Sequence, residues 1–393
     1  MSEPTRFAII GCGYVADFYM ATLGNHAGLQ LAGAWDRDPA RLAAFTAYHG
    51  VRAYGSLAEV LADASVTLIA NLTNPRSHYP VSRAALEAGK HVYSEKPLAT
   101  ELNDAVTLVE MAEAKGLLIS SAPCSVLSET AQTVWKALRE GRIGVPRLVY
   151  AELDDGNVAA MDYASWISDS GAPWPAKDEF EIGCTLEHAG YWLTWLTAFF
   201  GPVKRMTSFA TVALPEKPGL VLDPADTPDY ASAHFEFHSG VVARLTCSVY
   251  ASHDHRLRIF GDDGTLFVDK VWDYGAPVRA TRRNRWTSRA EKYPQLAKLV
   301  GLGPRAIPLV RQPPFKVKSR GTRNRMDFCR GIADLADASR KGLPPKLTAR
   351  WSLHVNELVL AMQNPERYGA VREIRSTFET FEPMPWAADA VAP

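Results

Sequence analysis

The sequence lacks an excess of charge of either sign, and it contains neither a closely spaced cysteine pair nor a long apolar run. Its 393 residues include 43 Lys and Arg and 43 Asp and Glu, so no overall field attracts nucleic acid or a membrane surface. The five cysteines are scattered and form no Cys-x-x-Cys motif, which predicts a reducing compartment, no disulfide framework and no metal site. No run approaches the roughly 20 apolar residues of a membrane span. We therefore expect a soluble, cytoplasmic protein.

The chain does contain enough apolar sequence for substantial cores. With 47% hydrophobic residues, it can form one large domain or two ordinary ones. Alternating strand and helix patterns occupy the first part, and long strands separated by turns follow. The sequence therefore predicts an N-terminal domain over residues 1–125 and a C-terminal domain over residues 126–393.

A glycine-rich turn follows the first predicted strand. The apolar run from Phe7 to Ile10 leads into Gly11-Cys12-Gly13-Tyr14-Val15-Ala16 at the start of a helical pattern. Gly11 permits a tight turn, Gly13 lets the backbone approach a pyrophosphate, and Ala16 allows close packing of the helix on the strand. The N-terminus of the helix then faces the phosphates. This pattern predicts a dinucleotide-binding site.

The choice between the two nicotinamide dinucleotides depends on the end of the second predicted strand, Leu29 to Trp35. Asp36 follows it, where a carboxylate that binds the adenine ribose is expected. Asp36 favours NAD because its charge accepts hydrogen bonds from the ribose hydroxyls and repels a 2′-phosphate. Arg37 leaves NADP as the alternative, because a guanidinium can bind that phosphate.

Strand and helix patterns alternate up to about residue 120, which predicts a parallel, doubly wound α/β sheet. The strand that begins at His91 ends in Glu95-Lys96-Pro97. Proline lacks an N–H group and restricts the residue before it, so strand pairing should end near Lys96. Lys96 would then lie at the carboxyl end of a strand, where ligands bind in such sheets. The alternative is a solvated Glu-Lys pair in a loop.

These residues resemble those of a known family. The resemblance rests on the Gly11–Ala16 turn, Thr73-Asn74-Pro75-x-x-His78, Glu95-Lys96-Pro97-Leu98-Ala99 and Gly141-Arg142-Ile143-Gly144. Together they resemble the glucose–fructose oxidoreductase, inositol dehydrogenase and MocA-type (Gfo/Idh/MocA) oxidoreductases. The resemblance implies a Rossmann domain with the following cofactor-binding positions: Gly11, Gly13 and Asp36 on the dinucleotide, Thr73, Asn74 and His78 near the nicotinamide ribose, and Glu95 and Lys96 at the active-site edge.

Two segments depart from the pattern of that family. Tyr19 stands where the first helix of many relatives carries a histidine. Pro123-Cys124-Ser125 stands where Asn-Arg-Arg is frequent. The usual sugar contacts of the second segment are therefore not implied here.

The C-terminal part contains long runs with alternating or antiparallel patterns. They extend over Pro146–Leu153, Asp229–Phe237, Val241–Tyr250 and Arg256–Asp269, with turns at Phe237–Gly240 and Gly261–Gly264. This predicts a C-terminal α+β domain with a large, mostly antiparallel sheet. One face of such a sheet packs on helices and the other can meet a neighbouring subunit. In the resembling family that face commonly pairs subunits, which implies a homodimer or homotetramer.

Catalytic candidates occur in the stretch that contains Glu187, His188 and Tyr191. On a helix, Glu187 and Tyr191 share a face and His188 lies beside them. The resemblance places Glu187 at an acidic position and Tyr191 at the position of a catalytic histidine. The alternative is structural: Glu187 interacts with the helix dipole and Tyr191 covers the core.

Hydride transfer at a carbinol needs a group that takes or gives the hydroxyl proton, and a free tyrosine with pKa about 10 is a poor base. We expect Lys96 to lower the pKa of Tyr191 and to orient the substrate oxygen. Glu187 would accept a hydrogen bond from another hydroxyl. His188 would take part in catalysis or support it by hydrogen bonding.

Three further features allow other interpretations. The side chains of Trp166, Trp174, Trp192 and Trp195 either stack on sugar faces or pack in the core. The segment from Val278 to Arg325 contains fourteen Lys or Arg and one acid, Glu291. It is either a solvated irregular insertion or a site for an anionic sugar conjugate. His354 and Glu357 are predicted to face solvent or another subunit.

The sequence thus predicts an NAD(P)-dependent dehydrogenase or ketoreductase that acts on a sugar, a cyclitol or a sugar conjugate. The alternative is a regulatory protein that keeps the dinucleotide fold and binds ligands without turnover. Lys96 and Tyr191 favour the enzyme, because a sensor could lose both residues.

Overall fold

Two β-sheets of different construction form the framework of the protein. The computed structural model describes residues 3–283, 303–313 and 325–388, together with residues 286, 292, 293 and 295. The first sheet contains β1 (Thr5–Ile10), β2 (Leu29–Trp35), β3 (Leu68–Asn71), β4 (His91–Ser94) and β5 (Ile119–Ser121). Its neighbouring strands are all parallel, in the order β2-β1-β3-β4-β5. The predicted parallel, doubly wound sheet is confirmed.

Five helices accompany these strands, and two of the helices begin with a capping side chain. Those of the first part are α1 (Ala16–Leu23), α2 (Pro39–His49), α3 (Leu57–Ala62), α4 (Pro75–Glu87) and α5 (Leu102–Ala114). Asp38 accepts hydrogen bonds from the first backbone N–H groups of α2, and Ser56 accepts one from Glu59 N–H of α3. Glu59 in turn accepts from the N–H of Gly55, which completes a variant of the capping box.

The strand order reverses between β1 and β3, the point at which such sheets bind ligands. Gly11 follows β1 with φ +96°, and a Cβ added there would lie 2.7 Å from the backbone of Leu72 and Thr73. A Cβ added at Gly13 would meet nothing within 4 Å. The turn is therefore closed against the loop after β3 and open at Gly13, where a ligand can approach the backbone.

The second sheet contains the remaining strands, in the order β13-β12-β11-β10-β6-β9-β8-β7-β14. They are β6 (Pro146–Asp154), β7 (Val203–Thr211), β8 (Tyr230–Phe237), β9 (Val242–Ser248), β10 (Leu257–Gly261), β11 (Gly264–Val268), β12 (Val278–Arg282), β13 (Arg305–Ile307) and β14 (Val371–Glu373). The pair β6 and β9 is parallel, and the other pairs are antiparallel. The predicted, mostly antiparallel sheet is confirmed.

Helices cover one face of the second sheet, and its strands alternate between buried and accessible residues. The helices of this part are α6 (Glu129–Arg139), α7 (Ala176–Ile182), α8 (Gly190–Phe200), α9 (Cys329–Lys341), α10 (Ala349–Gln363), α11 (Pro365–Tyr368) and α12 (Pro385–Ala388). On the opposite face Phe209 and Val371 are strongly exposed. No helix among the described residues is long and apolar enough to cross a membrane.

The prediction for His354 and Glu357 was wrong. Both are buried on α10, which packs against α5, α8 and β7 and therefore has no face toward solvent. His354 Nε2 accepts from Val203 N–H at 3.0 Å. Glu357 accepts from Ser376 N–H at 2.8 Å and pairs with Arg372 at 2.6 Å. These side chains bind the C-terminal segment to the second sheet.

The basic segment from Val278 to Arg325 is not irregular throughout. Its described parts include β12 and β13, which form one edge of the second sheet. The regular pairing there corrects the prediction of an irregular insertion. Apart from residues 286, 292, 293 and 295, residues 284–302 lie outside the described residues, as do 314–324.

Candidate active site

A cavity of about 1040 Å³ extends from the glycine-rich turn to the start of α8. It is lined by most of the residues that the sequence singled out: Gly11, Gly13, Tyr14, Val15, Asp36, Arg37, Thr73, Asn74, Glu95, Lys96, Glu187, His188 and Tyr191. The structure thus brings the nucleotide-binding motif and the catalytic candidates to one cavity. Cys12, Ala16 and His78 do not line it, and their side chains are fully buried.

The glycine-rich turn is held in place by Asp36. One carboxylate oxygen accepts from Cys12 N–H at 2.7 Å, and the other accepts from Asp38 N–H at 2.8 Å. Because each carboxylate oxygen has two acceptor sites, Asp36 can still accept from a ribose hydroxyl. Arg37 and Arg41 line the same part of the cavity. The open backbone at Gly13, the start of α1 and the acidic Asp36 fit a dinucleotide.

His78 has a place different from the one predicted. Its ring lies between two backbone carbonyls, with Nδ1 2.6 Å from Pro97 O and Nε2 2.9 Å from Thr73 O. Burial lowers the pKa of this histidine. His78 therefore connects the loop after β3 to the turn after β4 from behind the cavity, and positions Thr73 and Lys96 without facing a ligand.

Lys96 projects into the cavity and forms an ion pair with Glu187. The neighbouring Glu95 is also fixed, because Tyr19 donates a hydrogen bond to its carboxylate at 2.6 Å. Tyr19 is buried, and its hydroxyl replaces the imidazole that the resembling family often has at this position. The departure at Tyr19 therefore retains a polar side chain that contacts Glu95, the acid beside Lys96.

The charges of this group depend on burial and on each other. Burial opposes the charge of Lys96, but Glu187 and Tyr191 raise its pKa, so it stays an ammonium ion. Burial raises the pKa of Glu187 to about 7, with Lys96 acting in the opposite direction. Burial also raises the pKa of Tyr191 above its usual range, and Lys96 offsets only part of that shift. Lys96 does act on Tyr191 as expected, but the net shift is upward, which corrects the expectation of a lowered pKa.

Glu187 and Tyr191 come together because of an irregular helical turn. A π-helical turn (Thr185–Ala189) follows Gly183 and runs directly into α8. Such turns are frequent at functional sites. Glu187 points from it to Lys96, and Tyr191 lies in the first turn of α8, where its hydroxyl has no hydrogen-bond partner among the described residues. Within the described part of the chain, the Tyr191 hydroxyl is therefore an unpaired polar group at the cavity wall.

His188 lies between two carboxylates. Its Nδ1 is 2.8 Å from Asp155 and its Nε2 is 3.1 Å from Glu179, ion-pair distances without hydrogen-bond geometry. Burial opposes a charge on the ring, but the two acids raise the pKa of His188 well above its usual value. All three residues line the cavity. They form a charged cluster in the wall of the cavity.

A segment of the second part covers the cavity. Ser170 donates to Asp17 of α1 through its backbone N–H at 3.1 Å and its hydroxyl at 2.8 Å. Trp166 and Trp174 of this segment line the cavity, with ring centroids 5.0 Å apart. Trp192 and Trp195 instead are fully buried. Two of the four tryptophans thus offer apolar surface to a ligand, and two belong to the core.

The second departure from the family pattern lies outside the cavity. Cys124 Sγ is 3.3 Å from the Tyr274 hydroxyl, and Ser125 Oγ accepts from Trp195 Nε1 at 3.0 Å. Both residues are buried. They have structural contacts where an Asn-Arg-Arg segment would offer polar side chains.

Sequence reasoning missed several residues of the cavity wall, namely Arg41, Asp155, Glu179, His253, Trp272 and Phe328. Only two of these had a signal in the sequence. Asp155 stands in an Asp-Asp-Gly turn at the end of β6, and His253 belongs to a His-x-His pair. The others are brought to the cavity by chain segments far apart in sequence.

Two models of protein families match the chain. The GFO_IDH_MocA model, described as "Oxidoreductase family, NAD-binding Rossmann fold", matches residues 5–122, and the GFO/IDH/MocA C-terminal domain matches residues 131–267. The UDP-N-acetylglucosamine 3-dehydrogenase of Acidithiobacillus ferrooxidans is 27% identical over 268 residues, 67% of this chain and 74% of that protein.

Solved structures share the fold over nearly the whole chain. An oxidoreductase from Agrobacterium radiobacter in complex with NAD+, L-tartaric acid and magnesium has a TM-score of 0.74 at 20% identity, covering 94% of this chain and 98% of that one. The WlbA dehydrogenase from Bordetella pertussis in complex with NADH and UDP-GlcNAcA has a TM-score of 0.69 at 18% identity, covering 95% of this chain and 99% of that one.

Proposed function

Because the chain belongs to the GFO/IDH/MocA family of oxidoreductases, with an NAD-binding Rossmann domain, we propose that it interconverts a carbinol and a ketone on a sugar, a cyclitol or a sugar conjugate. One observation carries this proposal. Lys96, Glu187 and Tyr191 line the same cavity as Gly11, Gly13 and Asp36. A hydride carrier and a polyol can therefore occupy one enclosed space.

The Rossmann part would hold the nicotinamide dinucleotide, which supplies hydride acceptance or donation when bound. Gly11 and Gly13 would approach the pyrophosphate, and Asp36 would accept from the adenine ribose. Thr73 and Asn74 line the cavity between this region and Lys96 and would contact the nicotinamide ribose. NAD is the preferred cofactor because the carboxylate of Asp36 repels a 2′-phosphate.

Lys96 and Tyr191 would act on the reacting oxygen of the substrate. The Lys96 ammonium donates a hydrogen bond to that oxygen and stabilises negative charge on it. Because burial keeps Tyr191 a phenol, its hydroxyl is suited to protonate a ketone oxygen during reduction. In oxidation the same path would run in reverse: the Tyr191 hydroxyl takes the carbinol proton as it passes its own proton on, and Glu187, with a pKa of about 7, is suited to receive that proton near neutral pH.

The remaining cavity wall supports a substrate rich in hydroxyl groups. Glu179 and Asp155 offer carboxylate oxygens, and Trp166 and Trp174 offer apolar faces. His188 holds the two acids in place and acts as a positioning residue. The similarity to a UDP-N-acetylglucosamine 3-dehydrogenase supports sugar conjugates, including anionic ones, as the class to test first.

The test is a substrate panel with matched variants. Purified protein is incubated with NAD+ or NADP+ and a set of sugars, cyclitols and nucleotide sugars, and nicotinamide absorbance is followed; ketone products are tested in the reverse direction. For the best substrate, Tyr191→Phe should reduce kcat by about 10²- to 10⁴-fold, the usual range of general acid–base catalysis. Tyr48→Phe on the exposed face of α2 is the control and should keep the wild-type rate.

The outcomes separate the enzyme from its alternative. Near-normal turnover of Tyr191→Phe would show that Glu187 or Lys96, and not Tyr191, transfers the proton. Tight binding of NAD with no turnover on any substrate would instead favour the regulatory protein, which binds ligands without chemistry.

A further inference from the structure

Two histidines and an aspartate meet beside the cavity, outside the group that contains Lys96. Asp155 follows β6, and His253 and His255 precede β10. Asp154 and Asp254 form an antiparallel bridge between these segments, with backbone N–H to O distances of 3.0 and 2.9 Å. Residues two apart on an extended segment point the same way, so His253 and His255 both face Asp155.

The donor atoms of the three side chains lie within 4.8 Å of one another. His255 Nε2 is 2.7 Å from Asp155 Oδ1, and the two imidazole rings have centroids 4.1 Å apart. Trp272 packs edge-on against His255, with ring centroids 4.4 Å apart, and restricts rotation of the imidazole ring. His255 is buried, whereas His253 is accessible and has no hydrogen-bond partner among the described residues.

This donor set has a recognisable chemistry. Imidazole nitrogens suit zinc and neighbouring transition metals, whereas magnesium and calcium prefer oxygen ligands. Two imidazoles in ring contact would repel each other if both were protonated, but they can serve together as neutral ligands. The second oxygen of Asp155 is held 2.8 Å from His188, as the carboxylate ligands of metal sites are held by a further partner.

We propose that Asp155, His253 and His255 bind a divalent transition metal ion of the zinc type at the wall of the cavity. Three protein ligands leave at least one coordination position for water or for a substrate oxygen. Asp155 and His253 line the cavity, so the ion can enter from it. The sequence had predicted no metal site because that expectation rested on cysteine spacing, whereas this set contains no cysteine. The metal site does not depend on the proposed oxidoreductase reaction.

The test is metal binding by the full-length protein after treatment with EDTA, without any activity measurement. Calorimetry with ZnCl₂ should show that one zinc ion binds per chain. Co²⁺ bound at the same site should give a visible absorption band, as expected for an ordered metal site. His253→Ala should weaken zinc binding by at least about 100-fold, because even residues that only support metal ligands contribute 10- to 100-fold. The control is His238→Ala, which replaces an exposed histidine in the β8–β9 turn and should leave the affinity for zinc unchanged.

Folding and selectivity provide the remaining checks. Circular dichroism and thermal unfolding of His253→Ala should match the wild type, because His253 is exposed. Asp155→Asn should weaken zinc binding as well. Zinc affinity that is equal in wild type and His253→Ala, or Mg²⁺ binding as tight as Zn²⁺ binding, would overturn the assignment.

Discussion

Replacing Lys96 by methionine separates the electrostatic role of this residue from its role in stability. Breaking a buried ion pair typically costs about 3–5 kcal/mol, because the remaining charge is buried without a partner. Glu187 has a way to avoid this cost. Its pKa is already about 7 beside Lys96, so without the ammonium it takes up a proton at pH 7.

The expected change in the free energy of unfolding follows from that pKa. A rise from the ordinary value of 4.5 to about 7 corresponds to roughly 3 kcal/mol, which the wild-type protein already incurs at pH 7. Full protonation of Glu187 in the variant therefore adds less than about 1 kcal/mol. Turnover, in contrast, should fall by about 10²- to 10³-fold or more, because the reacting oxygen loses its charged donor.

The assay combines three measurements on Lys96→Met at pH 7: urea unfolding, NAD binding by calorimetry and turnover on the best substrate. Unfolding free energy should stay within about 1 kcal/mol of wild type, and NAD should still bind, since the pyrophosphate contacts lie at Gly11 and Gly13. Lys341→Met at the exposed end of α9 is the matched control. A loss of 3–5 kcal/mol would show that Glu187 stays ionised, and undiminished turnover would refute the catalytic role of Lys96.

Three further predictions concern the cofactor, the pH dependence of stability and assembly. Calorimetry should show tighter binding of NAD than of NADP, and Asp36→Asn should reduce the difference between the two affinities. Tighter NADP binding in the wild type would mean that Arg37 and Arg41, rather than Asp36, determine the cofactor preference. The pKa of His354 is lowered by burial to about 4, below its ordinary 6.5, so this histidine stabilises the fold fully above pH 6.5. Its contribution, up to roughly 3 kcal/mol, is lost as the pH falls from 6.5 to 4, and urea unfolding of His354→Gln should show a flatter profile. The accessible face of the second sheet, with exposed Phe209 and Val371, should pair subunits, so light scattering that finds only monomers at micromolar concentration would contradict a homo-oligomer.

Features that depend only on neighbouring residues in the sequence could be predicted without the structure. The turn at Gly11 depends on the backbone freedom of glycine, and it occurs as expected. Lys96 lies where the proline after it ends a strand. The alternation of β8 and β9 likewise predicted one buried and one accessible face.

Burial, in contrast, depends on every element that packs around a residue. His354 and Glu357 looked like polar residues of a surface helix, but α10 is enclosed on all sides. Burial also reversed the expected shift at Tyr191, because its effect on the pKa exceeds that of Lys96. The magnitude of desolvation is a property of the packed protein and has no local signal in the sequence.

The sequence by itself determined the parallel sheet, the dinucleotide motif and the identity of the lysine at its edge, because each follows from interactions within a few residues. Only the tertiary structure decided that Tyr19 contacts Glu95, that His188 lies between Asp155 and Glu179, and that two histidines join that aspartate. These contacts join residues on different strands and helices, and their distances are set by how the two sheets and the helices between them pack.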